Sequence, residues 1–175
     1  MADIRRTGLV QINTGNGKGK TTAALGTVLR AAGYGLKTFV IFFMKGRYEH
    51  GEYLSLPSLP NIEVAGYGLR KLSGRDDPEE KKEAGAAFAR AREVVGSGEY
   101  DIVLLDEINV ALEYGLIDIE SVIDLIKTKP PHVELILTGR YADNRLIELA
   151  DQVTEMVKVK HPYDRGVKAR KGIEY

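Results

Sequence analysis

Short apolar runs alternate along the chain with stretches whose apolar residues recur at helical spacing. Residues 8–13 (GLVQIN) predict a strand, and residues 20–32 a helix whose core face is Ala23, Ala24, Leu25, Val28 and Leu29. Residues 37–44 (KTFVIFFM), β-branched and aromatic, predict a buried strand, and residues 62–65 a short one. A helix is expected to begin at Asp77-Pro78, because Asp suits the N-cap and Pro the first turn; it should run to about Val95 and end at Gly96 and Gly98. Beyond it, residues 102–106 (IVLLD) predict another buried strand, 119–127 a helix stopped before Pro130-Pro131, and 134–138 (ELILT) a strand. Residues 143–150 predict a helix and 152–159 a final strand. The remainder, from about residue 160 to Tyr175, lacks periodicity and reads as an extended tail.

Strands alternating with helices imply βαβ units with right-handed crossovers, hence an α/β fold with a mostly parallel central sheet and helices on both faces. A length of 175 residues suits a single domain, 1–175, with one sizeable core. Neither repeats nor low-complexity segments interrupt it. The connections 45–61 and 67–76 carry Gly and charge, with Pro in the first, and are long enough to be working loops.

Composition narrows the function classes. Hydrophobic residues make up 43% and charged residues 29%, an ordinary globular balance. Lys plus Arg equals Asp plus Glu at 25 each, so no global field attracts nucleic acid or an anionic membrane. With no Cys, thiolate metal sites, disulfides and Cys nucleophiles are excluded. The polar start carries Arg5 and Arg6 with no apolar signal core behind them, and the apolar run 39–44 is too short to span a bilayer. A cytoplasmic protein with no membrane partner is the expectation.

Between the first strand and the first helix lies Thr14-Gly15-Asn16-Gly17-Lys18-Gly19-Lys20-Thr21-Thr22, the context a phosphate-binding P-loop requires. Glycines let successive N–H groups point into one concavity, and the helix presents its positive end to the same place. Lys20 adds a mobile charge for phosphate oxygens, and Thr21 offers a hydroxyl to Mg²⁺. The generic pattern would have Gly at position 14; here Thr14 stands there and Gly15 follows. The loop predicts that the triphosphate of ATP binds here with Mg²⁺ (or Mn²⁺).

Ligands of open parallel sheets sit beyond the carboxyl ends of the strands. After the second strand come Lys45, Gly46 and Arg47; after the third, Gly66, Tyr67 and Gly68; the fourth ends in Asp106-Glu107-Ile108-Asn109; the fifth in Thr138-Gly139-Arg140-Tyr141. Asp106 and Glu107 follow an apolar strand in the Walker-B manner, so either carboxylate is placed to reach a metal opposite Thr21. Asn109 would orient a ligand or cap the following short helix. Lys45 and Arg140 are candidate contacts to triphosphate or to side chains of a second substrate, or else solvated surface cations. His50, His132 and His161 are scattered without metal-site spacing, His132 reading as an exposed loop residue. Tyr34, Tyr48, Tyr53 and Tyr100 are expected to pack at element ends.

These segments together resemble the P-loop type ATP:corrinoid (cob(I)alamin) adenosyltransferases. The phosphate loop with its late first glycine is similar to that family's form, as are Lys45-Gly46 with Gly51-Glu52 and the acidic block Leu105-Asp106-Glu107-Ile108-Asn109. So are Leu137-Thr138-Gly139-Arg140, the run from Ala150 to Met156, and the ending from Lys160 to Tyr175. The resemblance implies a RecA-like P-loop fold, commonly a homodimer. It implies transfer of the 5′-deoxyadenosyl group of ATP to Co(I) of a corrinoid, with release of triphosphate and a flavoprotein as reductant. It further implies that ATP lies reversed on the loop, with Lys20, Thr21 and Glu107 in electrostatic roles. Some relatives carry a Phe and Trp pair after the third strand that displaces the lower ligand of cobalt; the corresponding positions here are Leu69 and Lys71, and the chain has no Trp. Relatives with a longer N-terminal arm cover the site with it, whereas only residues 1–7 precede the first strand here.

Two other readings belong to different classes. A P-loop NTPase or small-molecule kinase would cleave at the γ-phosphate and release ADP. A nucleotide-binding regulatory or nucleic-acid module would use the local cluster Lys158, Lys160, Arg165, Lys168, Arg170 and Lys171, which a solvated tail or a lid over phosphate explains equally.

Overall fold

Strands that alternate in which face each apolar side chain serves, with both faces apolar, must be covered on both sides. The computed structural model describes residues 7–46, 50–69 and 77–175. It shows β1 (Val10–Thr14), α1 (Lys20–Gly33), β2 (Thr38–Phe42), α2 (Gly51–Ser55), β3 (Ile62–Gly66) and α3 (Pro78–Ser97). There follow β4 (Ile102–Asp106), α4 (Ile108–Glu113), α5 (Ile119–Thr128), β5 (Glu134–Thr138), α6 (Asn144–Leu149) and β6 (Gln152–Glu155). The strands form one parallel sheet in the order β3-β2-β4-β5-β1-β6.

Alternation along β4 shows how the core is divided. Ile102 and Leu104 face Ala24, Val28, Ala31 and Ala32 of α1. Val103 and Leu105 face the other way, with Ala87, Phe88 and Ala91 of α3 and Val122, Ile123 and Ile126 of α5. Each fully buried Leu or Ile on such a strand contributes about 1.5–3 kcal/mol over its exposed state. Helix starts follow their caps: the Asp77 side chain accepts from Glu79 N at 2.8 Å and Glu80 N at 3.2 Å, and Asp118 and Asp143 cap α5 and α6 in the same way.

The differences from the sequence reading sit at connections. The chain between β2 and β3 contains α2 and a 3-10 turn at Leu56–Ser58. The second strand stops at Phe42, and Met44 turns the chain with φ 57°. Gly96 lies inside α3, and Gly98 alone caps it, in the left-handed region at φ 65°. The last strand ends at Glu155, not Val159, because the next residue turns inward: Met156 N donates to Thr14 O at 2.8 Å and Met156 O accepts from Gly17 N at 2.6 Å. The tail folds back, with a 3-10 turn at Pro162–Arg165.

Candidate functional site

The carboxyl ends of β1, β4 and β5 lie side by side and bring the phosphate loop against the acidic pair. Gly15 and Gly19 take φ 97° and φ 113°, values that L side chains resist, which is why this curl needs glycine. The first turn of α1 has no side-chain cap, so its N–H groups are left for an anion. Lys20 is buried and its Nζ donates to Gly15 O at 2.9 Å and Gly17 O at 2.8 Å, closing the loop on itself. Burial holds the Lys20 pKa below the ordinary lysine value, Glu107 pulling it up and Arg140 pushing it further down. Lys18 points outward and pairs with Glu174 of the tail at 2.6 Å. Asn16 and Thr22 are exposed, Thr21 half-buried, and neither threonine hydroxyl has a partner among the described residues.

The two carboxylates are placed differently. Asp106 is 0% exposed. Its Oδ1 accepts from Thr138 Oγ1 at 2.6 Å, and Lys45 Nζ stands 2.6 Å from Oδ2, an ion pair rather than an aligned hydrogen bond. Lys45, from the sequence either a substrate contact or a solvated surface cation, is turned to Asp106, with its ammonium 5.1 Å from the Phe42 ring centroid. Burial opposes the Lys45 charge, but Asp106 outweighs it and its pKa is raised. Glu107 has φ 64° and donates its N–H to Thr138 Oγ1 at 3.0 Å. Its carboxylate has no hydrogen-bonding or ionic partner among the described residues. Burial and then the Asp106 charge push the Glu107 carboxyl above the usual carboxylate range, against the pull of Lys45, Lys20 and Arg140.

Arg140 is exposed at the mouth and makes no ion pair or hydrogen bond among the described residues. With Asn16, Lys158, His161, Tyr163 and Asp164 it lines a cleft of about 480 Å³ between phosphate loop and tail. Asn109 is buried and donates weakly to Gly139 O at 3.4 Å, holding the β5 turn; it does not cap α4, which starts on Glu107. Within the basic tail, Lys158 pairs with Asp164 at 3.0 Å and Arg170 with Glu174 at 2.9 Å, so part of that charge is already neutralised. His132 is exposed, with Nε2 2.9 Å from Gly98 O. Tyr53 packs on Phe42 and Tyr100 on Phe39, while Tyr34 is exposed. Leu69 is half-buried; Lys71, Arg47 and Tyr48 lie outside the described residues.

The sequence reading missed the roles of Thr138, Met156 and Glu174. Thr138 had a signal: β4 and β5 pair with Leu105 opposite Leu137, so the next residues, Asp106 and Thr138, meet. Met156 and Glu174 had none, since both contacts join distant parts of the chain. A larger cleft, of about 820 Å³, opens beside α4 and α6, but its Arg145 is taken up by Asp143 and Glu120 at 3.0 and 2.9 Å. Among the described residues no helix is long and apolar enough to cross a membrane.

The sequence profile of the family described as ATP:corrinoid adenosyltransferase BtuR/CobO/CobP matches residues 6–175. A corrinoid adenosyltransferase of Pseudomonas aeruginosa is 36% identical over 171 residues, covering 96% of this chain and 84% of the relative. One from Escherichia coli (strain K12) is 37% identical over 173 residues, covering 96% and 86%. One from Salmonella typhimurium is 36% identical over 169 residues, with the same 96% and 86%. Among solved structures, a KaiC-like protein from Pyrococcus horikoshii is similar with a TM-score of 0.58 at 17% identity, over 86% of this chain and 72% of that one, a likeness of fold alone. With a profile match spanning the phosphate loop, the acidic pair and the tail, the chain belongs to the ATP:corrinoid adenosyltransferase family BtuR/CobO/CobP.

Proposed function

We propose that this chain transfers the 5′-deoxyadenosyl group of ATP to the Co(I) centre of a corrinoid and releases triphosphate. The observation that carries the site assignment is the pairing of an uncapped helix start holding Lys20 with a Glu107 carboxylate that has no hydrogen-bond or salt-bridge partner among the described residues. In the reaction the cobalt electron pair attacks C5′ of the ribose, a Co–C bond forms and the C5′–O bond breaks. The electrons of that bond leave on triphosphate, and cobalt passes formally from Co(I) to Co(III). The nucleophile carries no proton, so no general base is required.

The work of the protein is positional and electrostatic. Loop N–H groups between Gly15 and Thr22, with Lys20 and Arg140, would hold the triphosphate and stabilise the charge that grows on it. Lys20 would exchange its contacts with Gly15 O and Gly17 O for phosphate oxygens. Thr21 and Glu107 fit a divalent cation, Mg²⁺ or Mn²⁺: both offer oxygens without partners among the described residues. Among the described residues no three of His, Cys, Asp and Glu converge, so phosphate and water would complete the shell, as hard cations prefer. Bound there, the ion supplies charge neutralisation on the leaving group. Leu69 and Lys71, at the corrinoid-facing positions of the family, a homodimer, a flavoprotein reductant and a cytoplasmic setting complete the proposal.

The test is incubation with ATP, Mg²⁺ and chemically reduced cobalamin, following the visible spectrum and identifying the phosphate product. Adenosylcobalamin with triphosphate is the expected outcome. ADP and phosphate without a corrinoid product would instead assign an NTPase or kinase acting at the γ-phosphate.

A further inference from the structure

Asp106 and Glu107 are neighbours in sequence, yet their surroundings assign them opposite tasks. Asp106 is sealed from solvent and faces a cation and a hydroxyl that the protein itself supplies, Lys45 Nζ and Thr138 Oγ1, each at 2.6 Å. A hydroxyl has a single proton. Because Thr138 gives it to Asp106, only lone pairs remain on Oγ1, and one of them receives the Glu107 N–H at 3.0 Å. The polarity of the chain is thereby fixed from the end of β2 through β4 and β5 to the main chain of Glu107. Glu107 needs such a hold, since it stands at φ 64°, where a residue with a Cβ is strained.

We propose that Lys45, Asp106 and Thr138 form a positioning relay that fixes Glu107, and that Asp106 is not itself a metal ligand. Two features of the structure argue for this over direct ligation by Asp106. The Lys45 ammonium stands where a metal would approach Oδ2, and Oδ1 is taken by Thr138. Glu107, by contrast, keeps its carboxylate unengaged among the described residues. The inference rests on the metal assignment of the proposed function, in which Thr21 and Glu107 hold the ion. It adds positioning residues to it, of the kind whose loss weakens metal binding without touching the ion.

The experiment uses the full chain with Thr138→Val, Thr138→Ser and Asp106→Asn. One readout needs neither metal nor nucleotide: hydrogen exchange at the Glu107 amide. The second is a Mg²⁺ titration of triphosphate binding. Thr138→Val should accelerate exchange at Glu107 and weaken Mg²⁺ by about 10–100-fold, and Thr138→Ser should restore both. Asp106→Asn keeps an oxygen that can accept from Thr138, so it should weaken Mg²⁺ less than Thr138→Val does. Unchanged exchange in Thr138→Val overturns the relay, as does a larger loss of Mg²⁺ affinity in Asp106→Asn than in Thr138→Val. The Thr138 pair leaves every charge in place, which keeps the test valid if the Asp106 variant fails to fold. A wild-type protein whose triphosphate binding ignores Mg²⁺ would refute the metal assignment instead, with amide exchange still deciding the relay.

Discussion

Replacing Gly17 by Ala asks whether the segment that follows β6 shapes the phosphate loop. A Cβ on Gly17 would lie 2.7 Å from Met156 O and 2.9 Å from Val157 O. Both are main-chain atoms, so no side-chain rotation relieves the overlap. Loop and segment must part by roughly 0.7 Å or more to reach ordinary contact. That movement stretches the 2.6 Å bond from Gly17 N to Met156 O. Losing such a bond costs about 0.5–1.5 kcal/mol, and overpacking a close site about 1–3 kcal/mol. For a chain of this size the combined loss lowers Tm on the order of 10 °C. Gly26→Ala is the companion control. It lies in α1 with nothing within 4 Å of its added Cβ, and should stabilise by about 0.5–1 kcal/mol. Thermal unfolding followed by circular dichroism reads the stability of both variants, and calorimetric titration with triphosphate reads the cradle. Gly17→Ala should lose both stability and affinity. If it melts with the wild type, or melts lower yet binds triphosphate unchanged, the segment after β6 does not shape the loop.

Three further outcomes follow from the site and its supports. Lys20→Ala should lower adenosylation by at least about 10²-fold, the usual scale for one lost electrostatic donor, while circular dichroism shows the fold intact; retained turnover removes Lys20 from the mechanism. Glu107→Gln should weaken the Mg²⁺ dependence, and an unchanged metal titration contradicts that role. The Glu107 pKa is raised on folding, so the folded state holds the extra proton between the ordinary carboxylate range and that raised value, and stability falls as pH rises through this window. Metal-free Glu107→Gln should therefore melt above the wild type at neutral pH and match it below the carboxylate range; the same gap at all pH values refutes the assignment. Asp77→Ala, which removes the acceptor for Glu79 N and Glu80 N, should cost about 0.5–2 kcal/mol in denaturant unfolding, and no loss would mean the cap is replaced.

Where the structure matches the sequence reading, the deciding forces are local. Strands β4 and β5 were legible to the residue because an unbroken apolar run meets a polar pair at its end. The start of α3 was legible because Asp-Pro admits few alternatives. The end of β6 was not legible. Val157 and Val159 continue the alternation, yet they are 69% and 86% exposed, since a hydrogen bond to Gly17 diverts the chain. The loop, the acidic pair and Arg140 could be named from their positions after strands, and the register brings them to one edge. That Lys45 faces Asp106 and not solvent depends on β2 lying beside β4, which neither strand announces in its own composition.

The bond between Gly17 and Met156 has a consequence for the order of events during synthesis. Every residue of the proposed anion cradle precedes the second strand, but the backbone that closes it from behind follows the sixth. A nascent chain stopped after the fifth strand would hold the whole glycine motif and still lack its wall, so the proposed capture of nucleotide would wait until the segment after β6 has been made.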